Sequence, residues 1–255
     1  MGRKKTEEPP PSDPTGWILD NEFAHFVLMH SNEIKYMCML GYTFLHGSKL
    51  FQKIDPKAPF VYRFINMIFA CTGGGTLVPI LINAIPVNLG QDSYPIAIFI
   101  SYLIHSYFPI LREVLALSPI FKASVTVLYE TFRAYVVTKL TLAAAAAIPP
   151  SEFSFPIFGP IFCGAIAGCG GAFLPLNKGL DPIKDGLEPP MFSAFVGAAF
   201  FHLFTQLATD VIDVKSKGKV IVAFWFITYA FYKNGYFDAV LKPTPPKATP
   251  TKKNN

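Results

Sequence analysis

Seven apolar segments, each close to the length that crosses a lipid bilayer, constrain this chain more than any other feature. A membrane-spanning helix needs roughly 20 consecutive, mostly apolar residues. Only 15% of the residues are charged, and they cluster between the segments. The segments comprise residues 34–51, 60–85, 94–111, 120–143, 155–176, 191–208 and 220–240. We therefore predict an all-α integral membrane protein with seven transmembrane helices within residues 20–240.

The sequence outside these segments predicts two polar tails and no catalytic or metal site. Residues 1–19 are predicted to form a polar N-terminal tail, and residues 241–255, rich in Pro, Lys and Thr, a disordered basic C-terminal tail. The spacing of the cysteines indicates neither a disulfide framework nor a zinc site. No phosphate loop, nucleophile elbow or carboxylate pair is evident, so we expect no enzyme activity, no resident cofactor, no metal and no nucleic-acid partner.

Two glycine clusters indicate an internal repeat. Gly74 and Gly75 are separated from Pro79 by three residues, and Gly170 and Gly171 precede Pro175 with the same spacing, at an offset of 96 residues. Three spans lie between equivalent helices, and because three is odd, the halves must have opposite orientations in the membrane. We predict one three-helix repeat over about 30–112, an inverted second repeat over about 119–210, and a seventh helix over about 218–240.

The glycine clusters allow two interpretations, kinks that line a permeation path or close packing of helices. Gly is unfavourable in a helix by about 1 kcal/mol, and Pro removes a backbone donor, which favours kinks. Gly also lets membrane helices approach each other closely, which favours packing. The candidate pore residues are Gly73, Gly74, Gly75, Pro79, Gly168, Gly170, Gly171 and Pro175.

Ionisable residues inside the fourth segment form the second candidate site. Lys122, Thr126, Tyr129 and Arg133 share one face of a helix, with Glu130 three residues before the arginine. Charges within a membrane are rare and mark functional sites. The stripe either holds the phosphate of an anionic lipid or forms an ion pair that pins the helix bundle; the sequence leaves both open.

The distribution of basic residues predicts the orientation in the membrane. An odd number of spans places the termini on opposite sides, and Lys and Arg are enriched in cytoplasmic loops. The loops on the C-terminal side hold more of them, although three lysines at 215–219 oppose this assignment. We predict a cytoplasmic C-terminus.

Four parts of the chain resemble the trimeric intracellular cation (TRIC) channels of the endoplasmic and sarcoplasmic reticulum. Phe23–Phe26 resembles the segment before that family's first helix, and Gly73–Leu77 its second-helix glycine signature. Glu130 and Arg133 resemble its fourth-helix motif, and Gly168–Gly171 its fifth-helix glycines. The family motif usually has Lys where this chain has Tyr129, which makes Lys122 the candidate substitute.

The resemblance implies a homotrimer in which each protomer has its own K+-permeable pore, kinked at the glycines. It implies a reticulum membrane, a lumenal N-terminus, and counter-ion flux during Ca2+ release. It also implies that a phosphoinositide such as PIP2 binds near Lys122, Tyr129, Glu130 and Arg133. Two alternatives are a small secondary transporter built on the same inverted repeat and a non-conducting membrane scaffold.

Overall fold

The computed structural model describes residues 13–237, and every regular element within that range is helical. The α-helices are α1 (Glu22–Val27), α2 (Asn32–Phe51), α3 (Phe60–Leu81), α4 (Val87–Gly90), α5 (Ser93–Tyr107), α6 (Ile110–Leu117), α7 (Pro119–Ala147), α8 (Phe158–Cys169), α9 (Pro189–Leu207) and α10 (Val214–Lys233). Short 3-10 turns cover Gly16–Ile18, Gly170–Phe173, Leu176–Lys178 and Asp181–Ile183. The all-α prediction is confirmed in this range, and the predicted C-terminal tail at 241–255 lies outside it.

Polar side chains fix where several helices begin. Asn21 accepts a hydrogen bond from the backbone N–H of Ala24 and so caps α1. Ser31 caps α2 and Ser118 caps α7 in the same way. Pro119 follows Ser118 as the first residue of α7, a position where the missing proline N–H costs no hydrogen bond.

The third predicted segment, 94–111, is divided between two helices. α5 ends at Tyr107 and α6 begins at Ile110, and their axes differ by 92°. The cause is Pro109, since a residue that precedes proline is disfavoured in the α conformation. Across the bend, the Arg112 guanidinium donates a hydrogen bond to the carbonyl of His105 in the last turn of α5.

Hydropathy and length distinguish the helices. Within residues 13–237, α3 and α9 are each long and apolar enough to cross a membrane, and the bent pair α5–α6 makes a third candidate. α8 is apolar but shorter. The longest helix, α7, buries polar and charged residues inside the protein, among them Glu130, Arg133 and Thr138. The count of seven spans stays a prediction.

α7 is the central helix of the bundle. It packs against α2, α8, α9 and α10, and its Phe132 is fully buried in the core. α3 packs against α8 and against the 3-10 turn Gly170–Phe173. The first helices of the two predicted repeats, α2 and α7, are therefore in contact, and so are the second helices, α3 and α8.

The N-terminal segment packs against the last helix, which corrects two predictions. α10 begins at Val214, about one turn before the predicted start near residue 218, so Lys217 lies inside the helix, and it is fully buried. Its ammonium forms an ion pair with Asp13 and donates a hydrogen bond to the Thr15 hydroxyl at 2.7 Å. Within the predicted polar tail, Asp13 and Thr15 are thus attached to the last helix, while residues 1–12 lie outside the described range.

Candidate functional site

The two glycine clusters are in direct backbone contact. A Cβ atom on Gly170 would lie 2.6 Å from the Cα of Gly74, and one on Gly171 would lie 2.6 Å from the carbonyl oxygen of Ala70. Cβ atoms on Gly73 and Gly74 would overlap the backbone of Gly171 and Ala167, respectively. Real Cβ atoms do not approach other atoms this closely, so no side chain fits between α3 and the end of α8 without moving one of them.

The glycines do not affect their two helices equally. α3 is continuous from Phe60 to Leu81 and includes the buried Pro79 in its last turn, so Gly73–Gly75 does not interrupt it. By contrast, α8 ends as an α-helix at Cys169 and continues as the 3-10 turn Gly170–Phe173, beyond which Pro175 is exposed. The predicted interruption is therefore found only in the second cluster.

Gly168 and Gly75 serve other contacts. A Cβ on Gly168 would lie 2.5 Å from the Cβ of Ala194 and 2.8 Å from Cγ2 of Val137, so this glycine allows α8 to approach α9 and α7. A Cβ on Gly75 would meet Val87 at 3.2 Å. Neither residue takes part in the contact between the two clusters.

A cavity of about 250 Å3, which we call the vestibule, ends on the glycine contact. It lies between α2, α3, the end of α8 and the start of α9. Its lining residues are Tyr42, His46, Lys49, Lys53, Ala70, Gly74, Tyr129, Ala167, Gly168, Cys169, Gly170, Gly171, Ala172, Glu188, Pro190 and Met191. Four of the eight predicted pore glycines and prolines (Gly74, Gly168, Gly170 and Gly171) therefore line the vestibule.

Tyr42, His46 and Tyr129 form an aromatic group in the lining of the vestibule. The rings of Tyr42 and Tyr129 stack with centroids 5.0 Å apart. The Tyr129 hydroxyl lies 3.3 Å from Nε2 of His46, within hydrogen-bonding distance. The Lys49 ammonium lies 5.3 Å from the centroid of the Tyr129 ring.

Glu130 and Arg133 form a buried ion pair that joins three helices. Arg133 donates two hydrogen bonds to the Glu130 carboxylate, at 2.9 and 2.7 Å. It also donates to the carbonyl of Pro190, at 3.1 Å, and to the Ser193 hydroxyl of α9. Its guanidinium lies 4.3 Å from the centroid of the Phe226 ring of α10. This arrangement satisfies most of the donors of Arg133 within the protein, as the pinning interpretation predicts.

A second cavity, of about 140 Å3, lies beside this ion pair, and we call it the basic cavity. Its lining residues are Leu45, Lys49, Lys122, Thr126, Tyr129, Glu130, Arg133, Pro189, Pro190, Ser193, Tyr229, Ala230, Lys233 and Asn234. All four predicted lipid-binding residues are among them. Lys49 and Lys233 are additional cations that were not predicted from the sequence, since each lies at the C-terminal end of a different helix, remote in sequence from the stripe on α7.

These features define a helical bundle with glycine-packed helices below a vestibule, and three solved structures share this fold. A TRIC counter-ion channel that acts in calcium release matches with a TM-score of 0.64 and 13% identity, over 82% of this chain and 97% of that one. A second TRIC cation channel matches with a TM-score of 0.58 and 16% identity, over 90% and 98% of the two chains. A trimeric intracellular cation channel from C. elegans, solved in the absence of Ca2+, matches with a TM-score of 0.55 and 17% identity, over 86% and 93%.

The chain thus has the fold of the TRIC channels, which confirms the resemblance at the level of the fold. No protein-family model and no curated relative matches the sequence.

Proposed function

We propose that the chain is a monovalent cation channel, permeable to K+, with one pore in each protomer of a homotrimer. The observation that carries the proposal is the vestibule that ends on the contact between Gly74 and Gly170. The TRIC fold supports it, because the solved neighbours are cation channels. By the same likeness we propose that the channel balances charge in a reticulum membrane during Ca2+ release.

We infer that the glycine contact is the closed constriction of the pore. Backbone packs against backbone there, so a small separation of α3 from the turn Gly170–Phe173 would expose main-chain groups rather than side chains. Carbonyl oxygens present the negative end of their dipoles and suit cations. Backbone groups at membrane depth are tolerated where they line a water-filled cavity, and the vestibule supplies one.

The basic cavity is the proposed site of an anionic lipid, a phosphoinositide such as PIP2. Its cations come from the end of α2 (Lys49), the start of α7 (Lys122) and the end of α10 (Lys233), which all lie at one end of the bundle. With the proposed cytoplasmic C-terminus and lumenal N-terminus, that end faces the anionic cytoplasmic leaflet. Arg133, already bonded to Glu130 and Ser193, is proposed to shape the cavity rather than to bind the phosphate itself.

Recording from purified protein in a planar lipid bilayer tests the channel proposal. Discrete K+ current steps support a channel. Saturable flux without unitary steps supports the transporter, and the absence of both supports the scaffold. Glycosylation sites inserted separately at each terminus test the orientation, because a glycosylated C-terminal site contradicts it.

A further inference from the structure

Two exposed histidines meet at the junction between α1 and α2. Nδ1 of His25 lies 2.9 Å from Nδ1 of His30, and the ring centroids are 4.9 Å apart with the planes at 81°. His25 lies in α1, and His30 lies in the turn that follows, two residues before α2 begins. At this distance the Nδ1–H of one ring donates a hydrogen bond to the Nδ1 lone pair of the other.

The turn between the two helices holds the rings together. Met29 adopts a left-handed conformation with φ 52°, which is unusual for a residue other than glycine. The backbone N–H of Met29 donates to the carbonyl of Phe26, at 3.0 Å, and that of His30 to the carbonyl of His25, at 3.4 Å. This reversal brings together two imidazoles that are five residues apart.

We propose that His25 and His30 form a binding site for a divalent late transition metal, with Cu2+ as the best fit. Imidazole nitrogens bind such metals at about 2.0–2.1 Å. Two nitrogens 2.9 Å apart, each at that distance from a common metal, subtend an angle of about 90° at the metal. A right angle is the cis angle of tetragonal Cu2+, whereas a tetrahedral Zn2+ site would require the nitrogens to move apart by about 0.4 Å.

Water would fill the remaining coordination positions of the proposed metal ion. Among residues 13–237, no group of three or more His, Cys, Asp or Glu side chains is placed to hold an ion. The protein would therefore supply two ligands, His25 and His30. Cu2+ is bound most tightly of the divalent first-row metals. To bind it, each ring presents the lone pair of Nδ1 and carries its proton on Nε2, which is compatible with exposure of both rings. A bound ion would fix α1 to the start of α2, at the proposed lumenal face.

Cu2+ titration monitored by electron paramagnetic resonance tests the site. The full-length protein is purified in detergent through a tag without histidine, and the nitrogen splitting of the Cu2+ signal reports the number of imidazole ligands. We expect two nitrogens in the wild type and one or none in His25→Ala and His30→Ala. Loss even of an outer-shell partner weakens metal binding by about 10–100-fold, so each substitution is expected to weaken binding at least about tenfold.

Glu33→Gln is the matched control, because it keeps both histidines and changes only an exposed carboxylate three residues after His30. It is expected to retain the two-nitrogen signal. Both rings are exposed, so a single symmetric peak in size-exclusion chromatography is expected for the alanine variants as well. A one-nitrogen spectrum in the wild type, unchanged affinity in either alanine variant, or no binding below about 1 mM Cu2+ would overturn the proposal.

Discussion

Gly74 of α3 and Gly170 after α8 are in backbone contact, although they are 96 residues apart in sequence. The same offset relates Gly75 to Gly171 and Pro79 to Pro175, so Gly74 touches its own counterpart in the other half of the chain. Residues next to a two-fold axis contact their own symmetry equivalents. The contact between Gly74 and Gly170 therefore indicates that the axis relating the two halves passes close to these glycines. The contact of α2 with α7 and of α3 with α8 fits the same axis.

Leucine at Gly74 or at Gly170 is expected to lower the single-channel conductance. The added side chain would occupy the contact between α3 and the turn Gly170–Phe173, where the structure leaves no room for even a Cβ atom. Overpacking of this kind costs about 1–3 kcal/mol, so a lower thermal stability in detergent is expected too. The measurements are bilayer recording and thermal unfolding.

Two further glycine variants separate pore lining from helix packing. Gly168→Ala is expected to reduce stability without changing the open-channel conductance, because a Cβ there would overlap Ala194 and Val137 and not the glycine contact. Gly75→Ala is expected to change little, since its Cβ would meet Val87 at 3.2 Å. Normal conductance in Gly74→Leu would show that the glycines only pack helices.

The repeated glycine spacing made the helix contact predictable from the sequence. Gly is needed wherever two helices approach at backbone distance, and the constant offset of 96 residues pairs the two clusters in the sequence itself. The pattern did not distinguish a kink from a close contact, because both require glycine. α3 stays helical through its three glycines since its packing against α8 outweighs their low helix propensity.

The contact partners of the basic residues could not be predicted from the sequence. Lys217 lies in a lysine-rich stretch that resembles a loop, and its ion pair with Asp13 joins residues at opposite ends of the chain. Lys49 reaches Tyr129 only because α2 packs along α7. Single-helix periodicity identified Lys122 and Arg133 as one face, but it carries no information about which other helices complete that face.

Glu130→Gln is expected to destabilise the protein strongly. The substitution leaves the Arg133 guanidinium buried with a neutral partner, and removal of one member of a buried ion pair costs about 3–5 kcal/mol. Unfolding in detergent, followed by tryptophan fluorescence or differential scanning, measures the loss.

The double variant Glu130→Gln with Arg133→Met provides the control for that prediction. It removes both charges while keeping an apolar side chain beside Phe226, so it is expected to recover most of the lost stability. Equal stability of Glu130→Gln and wild type would contradict the buried ion pair.

Lys49→Ala and Lys122→Ala are expected to weaken binding of phosphoinositide-containing liposomes several-fold each. Both ammonium groups line the basic cavity, where a headgroup phosphate would sit. Lys53→Ala is the matched control, since Lys53 lies two residues after the end of α2 and lines the vestibule but not the basic cavity. If Lys53→Ala weakens liposome binding as much as Lys49→Ala does, or if neither substitution weakens it, the lipid does not bind in the basic cavity.

Acid is expected to weaken the attachment of the N-terminal segment to α10 over a defined pH range. The hydrogen bonds from Lys217 and Thr15 lower the pKa of Asp13 from 3.8 to about 2. A carboxylate whose pKa is lower in the folded state stabilises the protein above its unfolded pKa. That contribution should therefore be complete above about pH 4 and disappear as the pH falls towards about 2.

The melting temperature of Asp13→Asn measures the contribution of this ion pair to stability. At pH 7 the variant should unfold several degrees below the wild type, because the fully buried Lys217 ammonium loses its counter-charge. The two melting curves should approach each other towards about pH 2 and converge below it, where the wild-type carboxyl is also protonated. Asp13→Asn combined with Lys217→Met should restore the melting temperature at pH 7 and remove the pH dependence between about pH 4 and 2. A difference between wild type and Asp13→Asn that persists unchanged at pH 2 would mean that the asparagine acts through packing rather than through charge.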